Sequence, residues 1–372
     1  MTNDYLRTGE ENKCFGCSAC ETWCPTQAIT MQENDKGFRY PVLDEKKCIN
    51  CGKCNEVCPW HDLEEGKKIH LLYAAEHKSE DVLRKSQSGG VFTALSNYVL
   101  DNDGAVYGAV FDDNLNVVHA RATCAEERDR MRESKYVQSI IGKEVLRDLA
   151  EDCKNKKYIL FTGTPCQCAM VKKNYGENEN LFVCELICHG MPSPKVWREY
   201  LEWREKNWGV NVCEVKFRNK RYRERGRFSE SLFTEDGVEH ISDSYLAIFY
   251  SHLAHRECCF TCPFATEIRY ADITIGDFND VALADYTPRY DLSMLFVNTE
   301  RGSKLFDNIK SEIDCAQREI QYYKNQPCLY HPVNKPENLE MFWLDYGRRD
   351  IRDLLNLHVP EKIKRQYQFK FR

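Results

Sequence analysis

The chain has 372 residues, 42% hydrophobic and 30% charged, the length of two or three domains and the balance of a soluble globular protein. Its net charge of −6 argues against a general nucleic-acid binder, whose footprint is basic. No apolar run approaches the roughly 18 residues of a membrane helix, and "MTNDYLRTGEENK" lacks the hydrophobic stretch of a secretory signal. A cytoplasmic protein without a membrane span is therefore expected. Cysteine is in excess, with 20 residues. In a reduced compartment these read as metal ligands or redox groups, not as disulfides.

The first elements are two cysteine runs, "CFGCSACETWCP" (14–25) and "CINCGKCNEVCP" (48–59). Both are C-x2-C-x2-C-x3-C-P. Three thiolates at i, i+3 and i+6 can hold three corners of a [4Fe–4S] cube. The cysteine before proline ligates the other cube in two-cluster ferredoxins. One cluster would take Cys14, Cys17, Cys20 and Cys58. The other would take Cys48, Cys51, Cys54 and Cys24. Zinc, the alternative, usually shows paired C-x2-C units across a longer gap. The runs repeat at a spacing of 34 residues, and the segment between them fits a hairpin turning near Asp35–Gly37. "HDLEEGKKIH" (61–70) reads as a linker.

From Leu71 strands and helices alternate. "LLYAAEH" predicts a strand. "SQSGGVFTALSNYVLDNDG" predicts an amphipathic helix, with Val91, Leu95, Tyr98 and Val99 on one side and Ser88 as its N-cap. Gly89 and Gly90 would let a phosphate approach the helix N-terminus, although a loop needing positive φ is the commoner reason for such a pair. Residues 104–111 and 116–123 predict a strand pair around Asp112–Asn114, followed by a polar helix near 125–132.

"KYILF" (157–161) reads as a buried strand. Thr164 caps a helix with Pro165 at its first position, which puts Cys166 in the first turn, where a helix N-terminus favours thiolate. "LFVCELI" (181–187) is the next strand, with Cys188 at its end. A strand–helix–strand unit of this kind is parallel, so Cys166 and Cys188 reach one sheet edge. Cys168 points elsewhere and Cys184 lies inside the strand. Cys259 and Cys262 of "RECCFTCPF" (256–264) supply two more thiolates. Four make a third [4Fe–4S] set, against a zinc knuckle of Cys258, Cys259 and Cys262 or buried inert thiols. Cys258 is a competing neighbour of Cys259. Cys124, Cys153, Cys213, Cys315 and Cys328 have no ligand partner in spacing and read as ordinary thiols.

The segments "SGGVFTAL" (88–95), "SKYVQS" (134–139), "GTPCQ" (163–167), "ICHGMPSP" (187–194), "VKFRNK" (215–220), "CFTC" (259–262) and "ADITIGDF" (271–278) carry a resemblance. In this order they resemble the coenzyme F(420)-reducing hydrogenase/dehydrogenase beta-subunit family, which includes 7-hydroxymethyl chlorophyll a reductase. The family binds FAD and one [4Fe–4S] cluster. The resemblance implies cluster ligands at Cys166, Cys188, Cys259 and Cys262. It implies flavin contacts at Ser88, Gly89, Gly90, Val91, Ser134, Lys135, Tyr136, Gln138 and Thr164. The family often has Asp where Asn219 stands and an aromatic residue where Asn279 stands.

The fold class expected is α+β with α/β: a small N-terminal bacterial-type dicluster ferredoxin domain (1–65), then a larger mixed α/β flavin- and cluster-binding domain. The larger domain would divide into 71–150 and a part carrying the third cluster, 151–330, with a tail helix and surface segment at 331–372. His189, beside a ligand cysteine, and Asp277, ending a strand at the site edge, are catalytic candidates. "KFRNKRYRERGR" (216–227) reads as a solvated hairpin or as a dock for an acidic carrier or an anionic substrate group. The leading function is a flavin/iron–sulfur oxidoreductase exchanging electrons with a ferredoxin-like carrier or partner protein and an unidentified two-electron substrate. A second reading is an electron-transfer subunit that serves a partner enzyme, as the polysaccharide-biosynthesis loci of similar layouts permit. A third is a zinc-stabilised interaction module. No GxGxxG follows a strand, so a Rossmann nicotinamide site is not indicated.

Overall fold

The computed structural model describes residues 4–61, 66–69, 71–220, 229–242, 244–278 and 288–366. In the N-terminal unit, strands β1 (Ile29–Glu33) and β2 (Arg39–Leu43) pair antiparallel, Ile29 opposite Leu43 and Glu33 opposite Arg39. The turn closes where the sequence puts it, with Asn34 N–H donating to Phe38 O at 2.9 Å.

The two cysteine loops repeat each other in backbone detail. Gly16 and Asn50 are left-handed, as are Ser18 and Gly52, and short helices follow at Ala19–Thr22 and Lys53–Glu56. These turns aim amide N–H groups at sulfur. Gly16 N–H donates to Cys14 Sγ and Asn50 N–H to Cys48 Sγ, each at 3.4 Å. The 34-residue repeat is thus structural as well as sequential. Of the expected linker, β3 (Lys67–Lys68) is a short strand, while 62–65 and 70 lie outside the described residues.

The larger unit contributes β4 (Leu72–His77), β5 (Ala105–Phe111), β6 (Val117–Ala122), β7 (Ile159–Gly163) and β8 (Leu181–Leu186). Next, β9 (Val212–Lys216), β10 (Glu230–Thr234) and β11 (Glu239–Ser242) form a small antiparallel sheet. Then β12 (Ile268–Arg269) pairs with β3, before β13 (Ile273–Asp277), β14 (Ser293–Val297) and β15 (Ile313–Arg318). Eight strands make the main sheet, in the order β15-β4-β14-β13-β8-β7-β5-β6. Its centre is parallel: β13 with β8, β8 with β7, β7 with β5. The expected strand at 157–161 runs two residues later. Thr162 and Gly163 continue the ladder opposite Cys184 and Glu185 until Thr164 starts the helix.

Alternation along the central strands divides two cores. Val106, Leu160, Phe182 and Cys184 face one side, covered by helices Val91–Leu100 and Glu300–Ile309. Tyr107, Phe161, Leu181 and Val183 face the other, covered by helices Lys143–Lys154 and Pro165–Tyr175. The N-terminal unit packs on this second side through Ala19 and Val57, with Trp23 on Tyr175 at a 5.4 Å centroid distance. The tail helices Leu339–Asp345 and Ile351–His358 bury Phe342, Leu354 and Leu355 against Trp197 and Tyr200. Among the described residues, no helix is long and apolar enough to cross a membrane.

Candidate functional site

Cys58 comes back to the first loop and lies against Cys14, Cys17 and Cys20. Burial pushes the Cys17 thiol up to about 12, with the charge of Cys58 adding to it. Burial also pushes Cys58 to about 11. In the second group, Cys24 and Cys54 flank the apolar cluster of Ile29 and Met31, and Cys24 Sγ accepts Ala28 N–H at 3.2 Å. Cys48 is half-buried and Cys51 is exposed.

The isolated cysteines meet in a second place. The helix after β7 presents Cys166 in its first turn, and Cys188 follows β8. The 3-10 turn Glu257–Thr261 carries Cys258 and Cys259, with Cys262 next. All five line one cavity, together with Cys328, Phe15 and Phe264. Cys328, read from spacing as an ordinary thiol, thus belongs to the same wall. It arrives on the short turn Pro327–Leu329, which has no ligand motif to reveal it. Cys168 points away, its thiol donating to Cys184 O at 3.6 Å.

The expectation of a thiolate at Cys166 is corrected. Burial, then the charge of Cys262, pushes its thiol well above the ordinary value, and the hydrogen bond with the Thr164 hydroxyl only partly opposes this. Burial likewise pushes Cys188 to about 12 and Cys262 to about 11. A set of buried neutral thiols takes up iron with release of protons. Among the described residues, no three His, Cys, Asp or Glu side chains are placed to hold a single metal ion, around the ferredoxin-type loops or here. The corners of a cube stand further apart than the ligands of one tetrahedral ion at about 2.3 Å Zn–S.

A separate cleft of about 310 Å³ opens beside this cavity. Ser88, Gly90, Val91, Ser134, Lys135, Tyr136, Gln138 and Thr164 line it, as do His189 and Asp277. Ile187, Cys188, Gly190 and Met191 are walls of both spaces. Ser88 is not the N-cap. Its hydroxyl donates to Leu292 O at 2.6 Å, and Gly90, left-handed at φ +76°, precedes the helix. Gly89 is not a wall residue. A Cβ there would stand 2.1 Å from Ala75 O and 2.6 Å from Ser293 N, so it is glycine because backbone passes there.

The helix N-terminus at Val91 faces the cleft together with two polar groups that sequence reasoning missed. Thr93 Oγ1 and Arg132 Nε are buried and have no hydrogen-bond partner among the described residues. Free N–H groups, a hydroxyl and a guanidinium nitrogen fit a phosphate-bearing ligand. Lys135 Nζ donates to Arg132 O at 2.8 Å, and burial pushes its ammonium down to about 8. His119 Nε2–H donates to Thr162 O at 3.0 Å, and its Nδ1 pairs with Ser139 Oγ. Burial pushes His119 down to about 4, so the ring is a neutral brace of the cleft wall.

Arg218 pairs with Asp277, and Gln326 Nε2 donates to Asp277 O at 2.7 Å. Burial lowers His189 below its ordinary value, against the opposing pull of the Asp277 charge. Asn219 Nδ2 donates to Ser231 Oγ and Glu239 Oε1, which makes it an anchor of the small sheet. Lys216, Arg218 and Lys220 of the basic stretch border a pocket adjoining the cleft, with Arg84 and Tyr290. Residues 221–227 of that stretch, and Asn279, lie outside the described residues.

The N-terminal unit and the cavity are joined by buried polar groups. Arg256, fully buried, donates to Cys14 O at 2.8 Å, Arg39 O at 2.9 Å and Gln138 Oε1 at 3.3 Å. Gln138 Nε2 in turn donates to Phe15 O at 3.0 Å. Phe15 packs on Trp60 and Phe264 with centroids at 5.0 and 5.2 Å.

Paired four-cysteine loops, and a further cysteine cavity at the end of a parallel sheet, define an iron–sulfur protein of the electron-transfer, oxidoreductase type. Known proteins agree. Residues 13–61 match a 4Fe-4S dicluster domain, and a second 4Fe-4S dicluster domain matches 40–118. Residues 156–321 match the family defined by the C terminus of the coenzyme F420 hydrogenase/dehydrogenase beta subunit. The chain is thus similar to 4Fe-4S dicluster domains at its N-terminal end and, over 156–321, to the C terminus of the coenzyme F420 hydrogenase/dehydrogenase beta subunit. The F subunit of the F(420)H(2) dehydrogenase of Methanosarcina mazei is 26% identical over 332 residues, 83% of this chain and 85% of that protein. A chain of the xenon-derivatised F420-reducing [NiFe] hydrogenase complex from Methanosarcina barkeri aligns at a TM-score of 0.47 with 18% identity. The alignment covers 82% of this chain and 94% of that one.

Proposed function

We propose that the protein is an iron–sulfur flavoprotein oxidoreductase in which the two ferredoxin-type cysteine sets and a third set exchange electrons with FAD held in the cleft. The third set is Cys166, Cys188, Cys259 and Cys262. The observation that carries this reading is the shared wall: Phe15 of the first loop lines the cysteine cavity, and Cys188 lines both that cavity and the cleft. When bound, clusters supply one-electron transfer, and a flavin couples it to a two-electron substrate.

The residues of the chain set the alignment. Arg256 and Gln138 hold the first loop against the cavity. Phe15, Trp60 and Phe264 exclude water from it. The N–H groups of Gly16, Asn50 and Ala28 on sulfur stabilise negative charge there. Ser88, Gly90, Val91 and Thr93 face the phosphate end of the ligand, with Arg132 and Lys135. Ser134, Tyr136, Gln138 and Thr164 border the remainder. His189 and Asp277 stand at the cleft as proton-handling candidates. The substrate is a two-electron carrier or a small molecule, and F(420)H(2), named for the relative, is the first to test.

Iron, sulfide and flavin content of anaerobically purified protein tests this. About 12 Fe and one flavin per chain are expected from three cubes. About 8 Fe would remove the third site, and zinc without a chromophore would overturn the reading. A second reading, an electron-transfer subunit with no substrate of its own, is favoured by the relative's being a subunit. Turnover appearing only with a second protein distinguishes it.

A further inference from the structure

The two cysteine loops are alike in backbone and opposite in surroundings. Phe15, after the first cysteine of its loop, is 4% exposed and packs into the wall of the cysteine cavity. Ile49, its counterpart 34 residues later, is 64% exposed. Cys17 is half-buried, whereas its counterpart Cys51 is exposed. The position that docks one loop onto the next cysteine site inside the protein thus meets solvent in the other.

We infer that the Ile49 loop is the contact point for a diffusible one-electron carrier protein with an apolar patch around its own redox centre. The internal contact made by Phe15 shows what this position does when its partner is present: it seats an apolar side chain against the neighbouring site. Val42, 44% exposed, lies on the strand leading into the loop, whose Cys48 N–H donates to Asp44 O at 3.1 Å. Val42 and Ile49 are the large exposed apolar side chains among the described residues of the N-terminal unit. So small a patch suits a transient redox encounter, below about 1,200 Å² in total, and not a permanent interface.

The charges nearby balance: Asp44, Glu45 and Glu56 against Lys46, Lys47 and Lys53. Lys47 pairs with Asp44 at 3.5 Å and Lys53 pairs with Glu56. Apolar contact, rather than electrostatic steering, then sets the association, and its salt dependence is shallow. One electron leaves the carrier, which is oxidised, and reduces the centre held by the second loop. No bond or proton changes hands. The inference rests on the ligand sets proposed above.

The test mixes the holoprotein with dithionite and a trace of bacterial dicluster ferredoxin by stopped flow, following loss of the holoprotein's visible absorbance, with dithionite alone as the small-molecule control. Ile49→Asp is expected to slow reduction by ferredoxin about tenfold and to weaken ferredoxin binding in parallel. Its iron content and dithionite reduction should stay unchanged. Met341→Asp, on the exposed side of a tail helix, should leave the rate as in the unsubstituted protein. An unaltered rate in Ile49→Asp, an equal loss in Met341→Asp, or no reduction of the unsubstituted protein by ferredoxin would overturn the inference. If Ile49→Asp loses iron, Ile49→Ser replaces it under the same criteria. Absence of iron from the unsubstituted N-terminal loops would instead sink the ligand reading.

Discussion

The ferredoxin-type loops and the cysteine cavity hold thiols in opposite ways. In the loops, most members of a set are within seven residues of each other, and the backbone turns at Gly16, Ser18, Asn50 and Gly52 place them. In the cavity, Cys166, Cys188, Cys258, Cys259, Cys262 and Cys328 come from four separate segments, delivered by the ends of β7 and β8 and by two short turns. A local set depends on its own loop. An assembled set depends on every element that carries a member.

Iron counting should give the largest contrast. Cys166→Ser is expected to lose about four of about 12 Fe while the loops keep theirs, and Cys168→Ser none, since that thiol faces the strand core. Equal losses in both variants would break the distinction. Next comes the joint between the regions. Arg256→Met removes the donor to one buried and two part-buried acceptors and should lower stability by about 3 kcal/mol, read from the urea midpoint. A change below about 1 kcal/mol would mean the two units hold together without it.

A smaller effect is expected at the cleft. Lys135 is pushed down to about 8 by burial, so it is charged below that pH and neutral above. A phosphate-bearing flavin should therefore bind more weakly as pH rises past about 8, and Lys135→Met should flatten the dependence. A profile identical in both proteins would detach Lys135 from the ligand. The smallest effect belongs to Cys328→Ser. Iron content should hold, with a modest change in the electron paramagnetic signal of the third centre. A loss of about four Fe would place Cys328 among its ligands in exchange for another thiol.

Much of the framework was legible in the residues. The hairpin turn, the Thr164–Pro165 helix start, the parallel β7–β8 unit and the fate of Cys168 all follow from local rules, and they recur in the structure. Three things were not legible. Ser88 looks like a cap, but Leu292 O takes its hydroxyl, so a tertiary contact overrides the local one. Cys166 looks like a thiolate, but burial, ahead of the charge of Cys262, raises its thiol. Thr93, Arg132 and Cys328 carry no motif at all.

The sequence by itself determined the chemistry: two four-cysteine runs at a 34-residue spacing, and a short list of thiols able to complete a further set. Ligand spacing within a loop is a property of a few consecutive dihedral angles, so it survives as a pattern. Only the tertiary structure decided that Phe15 turns inward while Ile49 stays in solvent, that Arg256 and Gln138 join the two units, and that Cys188 serves two cavities at once. Those outcomes depend on which surfaces are buried against each other, and burial is set by the whole chain.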